Sequence, residues 1–226
     1  MDELRTKLQG VAGLMMRDAL SEACSSYGVE VLADSGTAHA DRVISLQGGR
    51  TVALTHDERE APFCVEGDGT LVSITDEDEL ALCVWAVPRP DSDVVGIGVD
   101  LASTCDFAGA RGERFNHLLF SEHEQDFVHR HYSEEQELGY AYAFSAKEAA
   151  FKSLAAPLRA WYTTHEEELA FEVREFELAD ATHERGTLRH ACAQTAMDAM
   201  GIHTIELFHT VPPDIAAVLT LAVART

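Results

Sequence analysis

This sequence has few positive charges, no closely spaced cysteine pair and no long apolar run. Lysine and arginine number 17 against 39 aspartates and glutamates, which gives a formal net charge of −22 at pH 7. The negative electrostatic field of a chain with this charge disfavours association with nucleic acid or with an anionic membrane surface. An anionic ligand would need a locally basic pocket or a bridging divalent cation, so any lysine near a candidate site carries extra weight.

The cysteines also exclude some classes of protein. There are five, scattered along the chain, and none belongs to a CxxC pair. This pattern is typical of reduced thiols and not of a disulfide framework or a zinc site. The N-terminus lacks the basic start and apolar run of a secretory signal, and no segment approaches the roughly 18 apolar residues that a membrane span requires. We therefore expect a cytoplasmic protein with no membrane-spanning segment.

The spacing of apolar residues predicts mixed helices and strands. A helical period predicts a first helix over residues 3–27 that ends at Gly28, and the run "VVGIGVDLAS" predicts a buried strand. A longer helix is predicted over residues 134–155, with Ser133 as its N-cap and Gln136 completing a capping box.

The end of this helix and a following strand are also predicted. Pro157 is expected to end the long helix, because proline cannot donate a helical hydrogen bond. The alternation of "ELAFEVREFEL" (residues 168–178) predicts an amphipathic strand after it.

Two segments share one layout of apolar strand, polar turn and longer apolar strand. They are residues 71–87 and 205–224, and each comes at the end of its half of the chain. The rigid, polar "PRPDSD" (88–93) is a candidate linker between the halves. This pattern predicts two related subdomains, residues 1–93 and 94–226. The alternative is that any two hairpins look alike.

The stretch "FSAKEAAFK" (144–152) places Glu148 one helical turn before Lys152. Projection of the helix puts Glu148 at the edge of an apolar stripe formed by Tyr140, Phe144, Phe151, Leu154 and Ala155. An exposed pair at this spacing is worth only about 0.3–0.5 kcal/mol, which gives no reason to place it there. A divalent cation on Glu148 and a phosphate beside Lys152 would satisfy both charges. An ordinary surface ion pair remains the alternative.

A second acid stands in the run "GIGVD". Asp100 is the first acidic residue of an apolar strand, and a carboxylate where a strand leaves the core commonly directs an oxygen at Mg²⁺. An ordinary acid at a strand end is the alternative. The glycines do not form a dinucleotide-binding fingerprint, because no GxGxxG is present.

Taken together, "GIGVD", residues 101–143 and "FSAKEAAFK" resemble the paired motif of the 4′-phosphopantetheinyl transferases. The intervening "RGERFNHLLFSEHEQDF" is similar to the family's segment between the motifs, so the resemblance covers residues 94–155 and extends plausibly to the C-terminal hairpin. The chain length resembles the longer, surfactin-synthetase-activator type. That type implies an α+β fold of two pseudo-symmetric subdomains in one chain, and hence a monomer with an internal pseudo-twofold.

The resemblance also implies roles for individual residues. Asp100 and Glu148 would hold Mg²⁺ on the pyrophosphate of coenzyme A, the substrate. Lys152, with Lys147 near by, would neutralise charge on the departing 3′,5′-ADP. A serine of an acyl or peptidyl carrier protein would attack the β-phosphate, with Glu148 or a bound water taking its proton. Thr75 would contact a phosphate of coenzyme A. This chemistry needs such residues because phosphoryl transfer is mainly positioning and charge neutralisation.

The carrier protein is expected to meet basic residues. Arg111 and Arg114 lie between the two motifs. They would suit an acidic carrier protein, because basic patches steer anionic partners.

Three features depart from the family pattern. Ala102 stands where the larger type usually has a third acidic metal ligand, and Thr75 and Asp76 stand where it usually has Ser-His. The apolar "SLAAPLRAWY" replaces a glycine-rich loop. These departures support an alternative function, in which the chain is a catalytically degenerate member of the fold that serves as a carrier-protein-binding or assembly module.

Overall fold

A computed structural model describes residues 2–32, 43–45, 51–56, 62–64, 69–77, 80–165, 169, 172–181, 185–189 and 192–226. The helices are α1 (Asp2–Leu20), α2 (Gly109–Leu119), α3 (Glu122–His131), α4 (Gln136–Ser153), α5 (Ala155–Tyr162) and α6 (Cys192–Ala199). The strands are β1 (Cys24–Leu32), β2 (Val43–Ser45), β3 (Thr51–His56), β4 (Pro62–Cys64), β5 (Leu71–Glu77), β6 (Leu80–Pro88), β7 (Val94–Ser103), β8 (Glu177–Ala181), β9 (Arg185–Arg189), β10 (Thr204–Thr210) and β11 (Ala217–Arg225). Short 3-10 turns cover Thr104–Phe107 and Val173–Glu175.

The strands form antiparallel sheets, which confirms the predicted α+β class. Their orders in the described part of the chain are β1-β6-β5, β7-β11-β10-β9-β8 and β2-β3-β4. Among the described residues, no helix combines the length and the apolar character needed to cross a membrane.

The same strand order occurs in both halves. In each, the first strand pairs with the last, and the last pairs with the one before it: β1-β6-β5 and β7-β11-β10. The two predicted hairpins are therefore present, as β5–β6 and β10–β11. This repeat agrees with the predicted internal similarity, while the subdomain bounds 1–93 and 94–226 stay a prediction.

The two halves meet at strand β7, through side chains of β5. The hydroxyl of Ser73 accepts a hydrogen bond from the Val99 N–H (2.9 Å), and that of Thr75 accepts one from the Leu101 N–H (3.0 Å). Buried backbone donors at a strand edge need such partners. The strand that carries Asp100 is thereby fixed by the N-terminal half.

Strands β7 and β11 are buried on both faces. Leu219, Leu221 and Val223 of β11 belong to a cluster with α1, whereas Val218 and Ala222 belong to a cluster with α4. This alternation follows from the two-residue period of a strand. The sheet therefore lies between α1 and α4.

Two glycines bring α4 unusually close to β7. A Cβ atom at Gly96 would lie 1.9 Å from the Ser153 carbonyl oxygen, and one at Gly98 would lie 1.9 Å from the Ala149 carbonyl oxygen. Any larger residue would push the helix off the strand. The glycines of "GIGVD" thus set the distance between Asp100 and the second half of α4.

The predicted first helix was too long. Helix α1 ends at Leu20, a turn follows, and β1 runs from Cys24 to Leu32 in pairing with β6. Gly28 lies inside this strand and is not a cap. Its missing Cβ leaves room for the Trp85 indole, whose ring atoms would lie 2.4–2.8 Å from such a Cβ.

The predicted cap of α4 was also wrong. Its N-cap is Glu135, which makes no side-chain capping bond, and the capping box lies instead on α3 between Ser121 and Glu124. Pro157 falls in the first turn of α5, where its missing N–H removes no helical hydrogen bond. The segment "SLAAPLRAWY", which stands where the family has a glycine-rich loop, is mostly helical.

The strand predicted over residues 168–178 begins later. The backbone forms a 3-10 turn at Val173–Glu175 and becomes extended at Glu177. The predicted residues 168, 170 and 171 lie outside the described part of the chain.

Candidate active site

Helix α4 is buried on most of its surface. The exceptions in its second half are Phe144, Glu148, Phe151 and Lys152, which are only partly buried. Phe144 and Phe151 of the predicted apolar stripe thus lie on the more open face, whereas Tyr140 and Leu154 of the same stripe are buried. The other faces pack closely because they carry small residues: Ala141, Ala143, Ser145, Ala146, Ala149, Ala150 and Ser153. The open face holds the candidate site.

Asp100 lies under this face, on β7. Its Oδ1 accepts hydrogen bonds from Lys152 Nζ at 2.6 Å and from Thr75 Oγ1 at 3.3 Å. Its Oδ2 is buried and has no hydrogen-bond partner among the described residues. The Ser145 hydroxyl of α4 donates to the Asp100 backbone oxygen at 3.1 Å. The carboxylate is therefore held firmly, with one oxygen left available.

Glu148 stands on α4, one turn before Lys152. Burial raises the pKa of its carboxyl, the Lys152 ammonium lowers that pKa, and the negative charge of Asp100 raises it further. Among the described residues, none forms a hydrogen bond or ion pair with the Glu148 carboxylate. The carboxylates of Asp100 and Glu148 therefore interact electrostatically with the Lys152 ammonium. One positive charge does not neutralise the two negative charges.

These residues fit a hard divalent cation that is also bound by substrate. Mg²⁺ commonly takes one or two carboxylates and completes its shell with water and substrate phosphates. The unpartnered Asp100 Oδ2 and the desolvated Glu148 supply two such oxygens. Across the described residues, no group of three His, Cys, Asp or Glu side chains could hold a metal by itself. The donor set suits Mg²⁺ better than zinc, which prefers nitrogen and sulfur ligands.

Lys147 lies in a different environment from Lys152. Its Nζ donates to Glu124 Oε2 (2.9 Å), Glu124 Oε1 (3.1 Å) and the Leu119 backbone oxygen (2.9 Å). The Lys147 and Glu124 side chains are only 2% and 1% exposed. Glu124 Oε2 also accepts from the Ser121 N–H at 2.9 Å. Lys147 thus joins α4 to the end of α2 and the start of α3.

Thr75 is buried and touches the carboxylate of the site. It is 3% exposed, and its hydroxyl connects the Leu101 N–H with Asp100 Oδ1. This geometry orients Asp100. The neighbouring Asp76, on the same strand, is exposed.

Ala102 faces a small cavity beside the site. The cavity measures ≈150 Å³, and Ala102, Phe144, Glu77 and Asp106 are among its lining residues. Ala102 is 3% exposed and supplies no metal ligand. The position where the larger family type has an acid is therefore occupied by a methyl group next to open space.

The basic residues predicted to bind a carrier protein lie on α2. Arg114 is exposed, and two apolar neighbours on the same helix, Phe115 and Leu118, are exposed as well. Arg111 belongs to α2, but its side chain lies outside the described part of the chain.

Several residues that build the site were not found from the sequence. Gly96 and Gly98 set the approach of helix to strand, Ser145 ties α4 to β7, and Glu124 captures Lys147. The spacing S-x-x-E of Ser121 and Glu124 is a capping-box signal for the start of α3.

Comparisons with known proteins agree with the motifs. Residues 96–203 match the family model of the 4′-phosphopantetheinyl transferase superfamily, which confirms the resemblance carried by "GIGVD" and "FSAKEAAFK". A search of curated proteins gives no match.

Several solved structures are similar to part of this chain. They include holo-[acyl-carrier-protein] synthase from Neisseria meningitidis (16% identity, 59% of this chain and 99% of that chain, TM-score 0.42). The Helicobacter pylori enzyme in complex with coenzyme A is 15% identical, over 57% of this chain and 98% of that chain, with a TM-score of 0.40. The Mycobacterium tuberculosis enzyme is 22% identical, over 59% of this chain and 98% of that chain, with a TM-score of 0.38. Scores this low carry no information about function.

Proposed function

We propose that this protein is a 4′-phosphopantetheinyl transferase that depends on Mg²⁺. It transfers the phosphopantetheine group of coenzyme A to a serine of an acyl or peptidyl carrier protein and releases 3′,5′-ADP. One observation carries the proposal: a buried Asp100 oxygen has no hydrogen bond, and the desolvated Glu148 and the Lys152 ammonium lie close to that carboxylate. The family match over residues 96–203 supports it.

Asp100 and Glu148 are the residues that would hold the metal. When bound, Mg²⁺ neutralises charge on the pyrophosphate and orients it. The hydrogen bonds from Thr75 and Ser145 keep Asp100 in one orientation, which is needed because small displacements are costly in catalysis.

Glu148 is the proposed general base. The serine oxygen forms a bond to the β-phosphorus, the bond from that phosphorus to the bridging oxygen breaks, and the electron pair leaves with 3′,5′-ADP. The serine proton passes to Glu148. A carboxyl whose pKa is raised by burial is a better proton acceptor than an ordinary glutamate.

Lys152 is proposed to neutralise charge on the departing 3′,5′-ADP. Its side chain is 28% exposed, so a ligand that approaches from solvent can contact it. For Lys147 we propose a role in holding α2, α3 and α4 together, in place of the predicted contact with coenzyme A. Its ammonium already makes three hydrogen bonds inside the protein.

Arg114 is the proposed contact for the carrier protein. It is exposed on α2 and its positive charge suits an acidic partner. The role of Arg111 stays a prediction, as do a monomeric state and a cytoplasmic location.

Mass spectrometry of an apo carrier protein incubated with this protein, coenzyme A and Mg²⁺ tests the proposal. We expect a gain of one phosphopantetheine mass, which chelation of Mg²⁺ abolishes. Glu148→Ala should give no gain, whereas Glu134→Gln, which alters an exposed acid outside the site, should behave like the unaltered protein.

The second candidate function rests on Ala102. Because this position lacks a carboxylate, the chain could be a carrier-protein-binding module without catalysis. Absence of any mass gain with several carrier proteins, and absence of thermal stabilisation by coenzyme A with Mg²⁺, would overturn the enzyme. Retained binding of a carrier protein would then support the module.

A further inference from the structure

A second polar cavity lies among α2, α3 and the start of α4. Its volume is ≈290 Å³, and its lining includes Phe107, Glu113, Asn116, His129, Glu137 and Tyr140. Tyr140 precedes Glu148 by eight residues on α4. At about 1.5 Å per residue, the cavity lies roughly 12 Å along the helix from the candidate active site. Phe107 lines both this cavity and the smaller one beside Ala102, so the two cavities are neighbours, but binding of a ligand here does not require transferase activity.

The side chain of Asn116 is buried against this cavity without a partner. It is only 6% exposed, and its Oδ1 has no hydrogen bond. Its backbone oxygen, by contrast, accepts the Phe120 N–H at 3.1 Å. A buried amide oxygen left unpaired is unfavourable. Because Asn116 lines the cavity, a ligand donor placed there is a candidate partner for this amide.

The charges around the cavity define the class of ligand. Glu113 and Glu137 are exposed carboxylates in its lining, and neither makes an ion pair within the described part of the chain. Together with the chain's net charge of −22, they repel anions. A cation that donates hydrogen bonds fits both carboxylates and Asn116.

The walls favour a planar cation. The rings of Phe107 and Tyr140 line the cavity, and the His129 ring meets Tyr140 edge-on at 6.5 Å. Guanidinium groups stack on aromatic faces and bind carboxylates through two parallel hydrogen bonds, which a compact ammonium cannot do. We propose that this cavity binds the guanidinium group of a small molecule, with Glu113, Glu137 and Asn116 as acceptors.

Titration of the full chain with ethylguanidinium, followed by NMR, tests this proposal. We expect saturable shifts at the Asn116 side-chain amide and a dissociation constant in the millimolar range, as befits a ligand of few atoms. Ethylurea, which has a similar shape but no charge, should not saturate. Blocked arginine serves as a second probe. If it binds as well as ethylguanidinium, the ligand can be a protein side chain, and if it is excluded, the ligand is a free guanidino compound.

Matched variants locate the site. Glu137→Gln should weaken ethylguanidinium binding about tenfold, the expected loss for one charge-assisted hydrogen bond. Glu135→Gln removes an exposed acid two residues away that does not line the cavity, and it should bind like the unaltered protein. Equal loss in both variants, or no saturable binding in the unaltered protein, would overturn the proposal.

Discussion

Helix α4 carries two lysines five residues apart, and each forms an ion pair with an acid from another element. Lys147 and Glu124 are 2% and 1% exposed, and the Lys147 ammonium bonds both carboxylate oxygens and a backbone oxygen. Lys152 and Asp100 are 28% and 7% exposed, and only one carboxylate oxygen is used. We call the Lys147–Glu124 pair closed, because it is buried and both carboxylate oxygens are hydrogen-bonded. We call the Lys152–Asp100 pair open, because it is partly exposed and one carboxylate oxygen is not used.

The difference distinguishes the pair that we propose to be structural from the pair that we propose to bind a ligand. A buried ion pair must satisfy its own hydrogen bonds, and a pair that does so has no capacity for a ligand. The open pair retains an Asp100 oxygen with no partner among the described residues, a partly exposed lysine side chain and a second carboxylate, Glu148, beside it. Both lysines belong to the same motif, so burial and hydrogen bonding, and not residue type, assign their roles.

The largest effect is expected at the open pair. Glu148→Gln should lower phosphopantetheine transfer by about 10²–10⁴-fold, because it removes the proposed general base and a metal oxygen. The initial rate of carrier-protein modification measures this loss. Thermal stability should be kept, since the substitution removes a desolvated charge that lacks a hydrogen bond. A variant with full activity would contradict the role of Glu148.

At the closed pair, the expected effect is on stability. Glu124→Gln or Lys147→Met alone should lower the free energy of unfolding by about 3–5 kcal/mol, because each leaves the partner charge buried and unpaired. The double variant should recover most of that loss. Urea unfolding of the three variants measures this coupling. Single variants as stable as the unaltered protein would show that the pair is not closed.

A smaller effect is expected at Thr75. Thr75→Val should cost about 1–3 kcal/mol, because the buried Leu101 N–H loses its acceptor, and it should also reduce activity by loosening Asp100. Thr75→Ser keeps the hydroxyl and should restore both properties. Urea unfolding and the transfer assay measure the two effects. Equal behaviour of the valine and serine variants would argue against the hydrogen-bonding role.

The pH dependence of stability should report Glu148 directly. Its pKa in the folded protein is raised above the ordinary value of 4.5, so the folded state binds this proton more tightly than the unfolded state. The protonated Glu148 carboxyl therefore stabilises the folded protein at low pH. This contribution is lost as the pH rises from about 4.5 through the raised pKa of Glu148. Glu148→Gln should remove this decline, and Mg²⁺ should stabilise the unaltered protein most above that range. Melting temperatures with and without Mg²⁺ measure both effects.

The smallest effect is expected at Ala102. Ala102→Glu would place a third carboxylate beside the cavity of ≈150 Å³ and should lower the Mg²⁺ concentration for half-maximal activity several-fold. Ala102→Gln fills the same space without charge and should leave that concentration unchanged or raise it. Identical Mg²⁺ dependence in both variants would show that position 102 does not face the metal.

Local signals in the sequence predicted much of the fold. The strand around Asp100, both hairpins and the helix that carries Glu148 were predicted, because their apolar periods are strong. The end of α1 was misplaced because residues 21–27 fit a helical period, whereas pairing with β6 makes Cys24–Leu32 a strand. Tertiary pairing overrode local preference there.

The motif named the candidate site residues but did not predict their different environments. Lys147 and Lys152 look equivalent in "FSAKEAAFK". Only the fold shows that Glu124, from a separate helix, captures one of them. The contact between α4 and β7 depends on glycines whose meaning appears only when the two backbones are placed together.

A transfer assay on two double variants tests the central claim most directly. Lys147→Met with Glu124→Gln neutralises the closed pair, and Lys152→Met with Asp100→Asn neutralises the open pair. The account predicts that the first variant modifies the carrier protein at a rate within about tenfold of the unaltered protein, while the second is inactive although folded. Loss of activity in the first variant with an intact fold, or retained activity in the second, would contradict the assignment.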